Sequence, residues 1–171
     1  MTPEQAYTTA QFVLSQIEGE WKTTHKVLAA VPDETAAGYK PSDKCMTGQE
    51  LTAHIAFTDT FFIEGVIKGS FDRPDDSGAT AKKPSELAAE YQERMPALIE
   101  QAKQLTGEKL LEPIQFYSWN MPGLQYLVIS MKHGIHHRGQ LSAYLRPMGA
   151  KVPGIYGPSA DDKPATSTQN A

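Results

Sequence analysis

The stretch HGIHHRGQLSAYL, residues 133–145, combines a helical repeat with a cluster of imidazole side chains. It holds three of the five histidines in the 171-residue chain. His133 and His137 are four residues apart, so a helix places them one above the other on the same face. His136 points about 100° away from His137 around the helix axis. The pair at 133 and 137 is therefore better aligned to meet at one point than the pair at 133 and 136.

The helix that carries this stretch is predicted to run from about Pro122 to about Met148, where Gly149 ends it. It has two faces that favour burial. One is an apolar stripe formed by Leu124, Leu127, Val128, Met131, Ile135 and Leu145. The other, nearly opposite, is mixed and contains Tyr126, Ile129, Ser130, His133, His137, Gln140 and Tyr144. Two such faces predict that the helix is covered on both sides, by a bundle and by a subunit partner, with the mixed face lining a pocket.

Three earlier segments have the same helical period. Residues 2–30 and 47–68 each open with a capping-box pattern and continue with apolar residues at three- and four-residue spacing. A third helix is predicted from about residue 84 to residue 105, with Pro96 expected to kink it or to shift its start. Together with the histidine-bearing helix, these segments predict an all-α fold, a four-helix bundle with long connections.

The remaining segments are predicted to be connections. Residues 106–123 are irregular and are interpreted as a connector with one short helix. No segment alternates with the period of a β-strand. Residues 1–158 are predicted to form a single domain, and the polar residues 159–171 a disordered tail.

Composition excludes several classes of protein. The net charge is −4, and Lys and Arg are scattered, so nucleic-acid binding is not expected. No signal peptide and no apolar window long enough to span a membrane is recognisable. Cys45 is the single cysteine, which excludes an intramolecular disulfide and a cysteine-rich metal site. These features predict a cytoplasmic protein that does not bind membranes. The expectation of a small-molecule substrate comes from the histidine cluster and not from composition.

His54 lies on the inward side of the second predicted helix. With His133 and His137 it would give three imidazole nitrogens from two helices. Imidazole suits Zn²⁺, Ni²⁺ or Fe²⁺, and three protein ligands leave coordination positions for water or substrate. In the alternative interpretation, the paired histidines are hydrogen-bonded in a polar interface between helices and His54 is an ordinary core residue. Spacing alone leaves both interpretations open.

Two stretches resemble the DinB-like (damage-inducible) family of four-helix metal-binding proteins. They are GQELTAHIAF (residues 48–57) and HGIHHRGQLSAYLRPMGAKVPGIYG (residues 133–157). YKPSDKCMTGQEL (residues 39–51) is similar to that family's approach to its second helix. The resemblance implies that a divalent metal is held by one histidine of the second helix and by an H-x-x-x-H pair of the last. The matching positions are His54, His133 and His137.

The resemblance also carries expectations about function. The wider superfamily includes S-transferases that use low-molecular-weight thiols such as bacillithiol or mycothiol, while many members have no known reaction. It implies a metal-dependent thiol S-transferase, with the thiol as a second cofactor, and a homodimer. The alternatives are a metal-dependent hydrolase and a non-catalytic metal-binding stress-response protein.

The sequence also allows statements about three further residues near the paired histidines. Related motifs commonly have an acidic residue directly after the first histidine of the pair, where this chain has Gly134. Arg138 is expected to form a structural ion pair in the core. Gly139 is disfavoured inside a helix, which suggests that another backbone approaches closely there.

Overall fold

The computed structural model describes residues 1–162. Within them the helices are α1 (Pro3–Ala29), α2 (Gly48–Lys68), α3 (Ser77–Thr80), α4 (Pro84–Lys103), α5 (Gly107–Leu111) and α6 (Gly123–Leu145). Two short strands, β1 (Pro113–Phe116) and β2 (Trp119–Pro122), lie between α5 and α6, and a 3-10 helix spans Ala160–Asp162.

The four long helices, α1, α2, α4 and α6, form the predicted bundle. Both α1 and α2 pack against α4 and against α6. The two helices that carry the histidines, α2 and α6, are therefore direct neighbours. The long connection between α1 and α2, residues 30–47, allows α2 to lie in this position.

Capping boxes fix the starts of α1 and α2, as predicted. At the start of α2, the Thr47 hydroxyl accepts a hydrogen bond from the Glu50 backbone N–H at 3.1 Å. In return, the Glu50 carboxylate accepts from the Thr47 N–H at 2.8 Å. Because two unpaired N–H groups are satisfied, the helix is anchored two turns before His54.

The interior of the bundle is apolar and continuous from α1 through α6. Helix α4 begins at Pro84 and continues through Pro96 to Lys103, so the internal proline does not move its start. Val128, Met131 and Ile135, predicted to lie in an apolar stripe of α6, are only half-buried.

The connector before α6 contains the predicted short helix, α5, and also an antiparallel hairpin that the sequence did not predict. In it, Pro113 pairs with Pro122 and Phe116 pairs with Trp119. Ile114 is the single buried residue of the two strands, so no alternating apolar face marks them in the sequence. The hairpin is tied to the first turn of the following helix, because the buried Tyr126 hydroxyl of α6 donates to the Ile114 carbonyl at 3.0 Å.

The chain continues past α6 along the bundle. Gly149 has a φ of 88°, a left-handed conformation that suits glycine and ends the helical region near the predicted residue. Of the predicted tail, residues 159–162 are described, and Asp161 accepts from Arg146 at 3.0 Å. Residues 163–171 lie outside the described residues. Among residues 1–162, no helix combines the length and the apolar character needed to cross a membrane.

Candidate metal centre

His54, His133 and His137 meet between α2 and α6. Each offers one ring nitrogen, and these nitrogens all lie within 4.8 Å of one another. The Nε2 atoms of His54 and His133 are 3.0 Å apart. His136 is exposed to solvent, and no candidate cluster among residues 1–162 includes it. The three predicted residues are thus brought together, while the fourth histidine of the region is not.

The spacing fits a shared ion. Imidazole nitrogens bind Zn²⁺ at about 2.0–2.1 Å, so two adjacent ligands of one ion are separated by about 2.9–3.4 Å, depending on geometry. The observed 3.0 Å between the Nε2 atoms of His54 and His133 lies in this range, and it is also the length of a hydrogen bond between the two rings. All three side chains are half-buried, so the cluster remains partly accessible to solvent.

A hydrogen bond determines which nitrogen of His137 faces the cluster. Its Nδ1 lies 3.0 Å from the Gln140 side-chain oxygen. An amide oxygen can only accept, so Nδ1 carries the proton and Nε2 keeps its lone pair for an ion. The Gln140 amide nitrogen donates in turn to the Tyr144 hydroxyl at 3.1 Å, which fixes the orientation of the amide.

Asp59 of α2 lies behind His133. Its side chain is nearly fully buried, with 4% of the residue exposed. One carboxylate oxygen accepts from the Tyr91 hydroxyl at 2.9 Å. The other oxygen is 3.5 Å from Nδ1 of His133, and neither of these two buried atoms has a hydrogen-bond partner among residues 1–162. A carboxylate at this position favours a proton on Nδ1 and leaves Nε2 facing the cluster.

Gly134 creates the space that Asp59 occupies. A Cβ atom at this position would lie 2.8 Å from one carboxylate oxygen of Asp59 and 3.0 Å from the other. The residue following the first paired histidine is therefore small because a carboxylate from α2 lies against it.

Burial favours the neutral form of two of the three rings. Partial burial, with the neighbouring charges of His133 and His137, lowers the pKa of His54 to about 4. Burial also lowers the pKa of His137. Since a neutral imidazole is the form that binds a metal, these side chains need not lose a proton near pH 7 to act as ligands.

The residues predicted to line a pocket have different roles. Tyr126 is buried and supports the hairpin, whereas Ser130 is buried and donates to the Asp59 backbone carbonyl at 3.4 Å. Gln140 and Tyr144 do lie beside the histidines, through the hydrogen bonds of His137. The mixed face of α6 therefore positions the cluster more than it lines an open pocket.

The prediction for Arg138 is confirmed, whereas the prediction for Gly139 is not. Arg138 is 1% exposed and forms an ion pair with Glu20 of α1 at 2.6 Å, the structural role predicted for it. The close approach predicted at Gly139 is wrong, because this residue is exposed and a Cβ atom there would contact nothing within 4 Å. The close approach on this helix is at Gly134 instead.

Asp59 is the residue of this centre that the sequence analysis missed. It lies four residues after Ile55 and three before Phe62, so it falls on the buried side of α2. A carboxylate on an otherwise apolar helix face rarely lies there without a partner. That pattern is the signal by which Asp59 could have been found.

A model of the DinB family matches residues 6–168. The chain belongs to the DinB family. This result agrees with the resemblance of residues 48–57 and 133–157 and with the bundle that positions the three histidines.

Two proteins of Bacillus subtilis are similar in sequence to this chain. It is 28% identical over 161 residues to the uncharacterized protein YrdA of Bacillus subtilis, covering 91% of this chain and 93% of YrdA. It is 30% identical over 113 residues to the uncharacterized protein YjoA of the same organism, covering 65% of this chain and 73% of YjoA.

Two crystal structures of DinB-like proteins share the fold. That of YjoA from B. subtilis superposes with a TM-score of 0.68 at 27% identity, covering 85% of this chain and 97% of that one. That of a protein from Bacillus cereus ATCC 10987 has a TM-score of 0.70 at 25% identity, covering 84% and 95%. The arrangement of the bundle is therefore that of other DinB-like proteins.

Proposed function

We propose that His54, His133 and His137 bind one divalent ion, Zn²⁺, Ni²⁺ or Fe²⁺. The observation that carries this proposal is the meeting of three ring nitrogens within 4.8 Å of one another, at the ends of side chains from two packed helices. Oxygen atoms of Gln140 and Asp59 lie behind two of the three rings, an arrangement typical of histidines that ligate metals.

We further propose that the protein is an enzyme that transfers a low-molecular-weight thiol to an electrophilic small molecule. A divalent ion with an open position acidifies a bound thiol or water. In the net reaction, the thiol S–H bond breaks and its proton passes to solvent. A sulfur–carbon bond forms while the bond between that carbon and its leaving group breaks, and the leaving group departs with the electron pair.

Residues of this chain would orient the site for that reaction. Gln140 holds the ring of His137 by a hydrogen bond, and the Asp59 carboxylate lies 3.5 Å from His133 Nδ1, so these two ligands would need little reorganisation when substrates bind. The half-buried position of the three rings excludes part of the solvent and leaves the cluster partly accessible.

The reaction is tested with purified protein loaded with each metal in turn. A panel of low-molecular-weight thiols and electrophiles would be screened for conjugate formation by mass spectrometry. We expect conjugation by the wild type and by His136→Ala, and its loss in His54→Ala. No turnover with any pair, despite bound metal, would instead favour a non-catalytic metal-binding protein, and hydrolysis of the electrophile without conjugation would favour a hydrolase.

A further inference from the structure

Aromatic side chains extend without a break from the histidine cluster to the tip of the hairpin. The ring of Phe62 is 6.3 Å from that of His133, and Phe61 is 5.8 Å from Phe62. Phe116 of β1 follows at 5.7 Å from Phe61, and Tyr117 at 4.8 Å from Phe116. Separations of this size are those of aromatic rings in contact. The rings are therefore in contact from His133 to Tyr117, with the buried Phe62, 6% exposed, as the link between the histidine cluster and the open aromatic side chains.

This surface is concave and partly open. A cavity of about 190 Å³ lies against Phe57, Phe61 and Phe71. A neighbouring cavity of about 300 Å³ lies against Phe71, Phe116 and Tyr117. Both also contact Arg73, so they adjoin. Their size and aromatic lining are those of sites for small ligands.

Tyr117 adopts a disfavoured backbone conformation at the rim of the second cavity. Its φ is 50°, and it is the single residue other than glycine with a positive φ among residues 1–162. Glycine or asparagine would occupy this position of a hairpin loop with less strain. Tyr117 is nevertheless 71% exposed, so burial of its ring does not offset the strain. Strain of this kind is found at functional positions, where the side chain is needed at that place.

We propose that Phe61, Phe71, Phe116 and Tyr117 bind the aromatic or apolar part of a small-molecule substrate. The proposal rests on the proposed function in one respect: the reactive end of that substrate would lie toward the histidines. Acidic Glu64, Asp72 and Asp75 and basic Lys68 and Arg73 border the same cavity, so charges of both signs lie at its rim. Recognition is therefore by stacking on the rings, as for an uncharged aromatic electrophile.

Trp119 provides a direct reporter of binding. It is 48% exposed, and its ring is 6.4 Å from that of Phe116. The uncharged nitroaromatic 4-nitrobenzyl alcohol should quench its fluorescence in a saturable manner. The quenching should disappear in Trp119→Phe, since the other tryptophan, Trp21, lies on α1.

Tyr117→Gly separates a binding role of the ring from a structural one. Glycine suits the positive φ, so the variant should melt at the same temperature as the wild type or higher. Loss of one stacking partner should weaken binding of 4-nitrobenzyl alcohol about three- to tenfold. Tyr117→Phe should bind within about twofold of the wild type, because it keeps the ring. Phe12→Ala, which removes a 66% exposed ring of α1, should bind as the wild type does.

Binding is measured in metal-free protein and also in His54→Ala, so that the two proposals fail separately. Saturable binding in both supports the aromatic site, whether or not the histidines prove to hold metal. Equal affinity of the wild type and Tyr117→Gly, or quenching that does not saturate, overturns the proposal. It is also overturned if Tyr117→Gly converts a dimer to a monomer by light scattering, because the surface would then be a subunit contact.

Discussion

At the residue scale, Asp59 is positioned to set the affinity of the proposed metal centre. Asp59→Asn keeps the size of the side chain and removes the charge 3.5 Å from His133 Nδ1. We expect metal affinity to fall about 10- to 100-fold, because the outer partner of a ligating histidine orients it and raises its basicity. Competition with a chromophoric chelator measures the dissociation constant.

A matched control removes a carboxylate elsewhere. Asp43 has a fully exposed side chain that pairs with Lys40 at the surface. Asp43→Asn should leave metal affinity within about twofold of the wild type, since exposed charges are screened by solvent. Equal losses in the two variants would show that Asp59 acts only through net charge and would contradict the assigned role.

The lowered pKa of His54 predicts how the stability of metal-free protein depends on pH. Unfolded chains protonate this imidazole near its ordinary value of 6.5, whereas the folded protein protonates it only near 4. Between these values the unfolded state binds more protons, so the free energy of unfolding should fall as the pH falls from 6.5 to about 4. Urea titrations in the presence of a chelator measure this slope. His54→Gln should have a shallower slope, and an unchanged slope would contradict the account.

The sequence predicted the cluster of three histidines better than its surroundings. The pairing of His133 and His137 follows from helical spacing, because residues four apart on a helix lie next to each other on the same face. His54 lies on a different helix, so spacing alone could not pair it with the other two histidines. The family resemblance supported its inclusion. Asp59 and Tyr91 come together only when α2 packs against α4, and no local sequence pattern in either helix indicates that contact.

At the element scale, alanine substitutions at two glycines of α6 should change the stability of the protein in opposite directions. Gly134→Ala would place a Cβ 2.8 Å from the Asp59 carboxylate, so the variant should be destabilised by about 1–3 kcal/mol and should bind metal more weakly. Gly139→Ala adds a Cβ in open space, and it should stabilise the helix by up to about 1 kcal/mol. Urea denaturation measures both. Similar stability changes for the two variants would contradict the packing of α6 on α2.

The helices and the hairpin differ in how far they could be predicted. The starts of α1 and α2 follow from local capping boxes, which are encoded within four residues. The hairpin of β1 and β2 depends on the Tyr126 hydroxyl of α6 and on a loop residue of unfavourable φ. Contacts of that kind are tertiary, so propensity alone does not reveal them.

At the scale of the whole molecule, we propose that the protein forms the expected homodimer through an apolar surface on α6 and α1. Met131 and Ile135 are half-buried, and they lie beside Trp21 of α1 around one small cavity. Phe12, also on α1, is 66% exposed. Apolar side chains of two adjacent helices that remain open to solvent are typical of a subunit contact.

Light scattering of the purified protein tests the dimer. The wild type should have twice the 18.8 kDa mass of one chain. Met131→Glu should shift it toward one chain, because a charge at the centre of an apolar contact is costly to bury. Lys132→Glu, at an exposed neighbouring position, should leave the dimer intact. A monomeric wild type, or equal effects of both variants, would contradict this surface.

The bundle itself was predictable because four amphipathic periods leave few ways to bury their apolar faces. The relative placement of the helices was not, since the long connection at residues 30–47 permits more than one order. That placement decides the site: α2 and α6 must be neighbours for His54 to meet the paired histidines.

Metal content of protein purified without a histidine tag, after incubation with Zn²⁺, Ni²⁺ or Fe²⁺ and removal of free ions, tests this centre most directly. The wild type and His136→Ala should each retain one ion per chain by elemental analysis. His54→Ala, His133→Ala and His137→Ala should retain far less while remaining folded by circular dichroism. A wild type that stays substoichiometric with every metal, or a His133→Ala variant with unchanged content, would contradict the proposed metal centre.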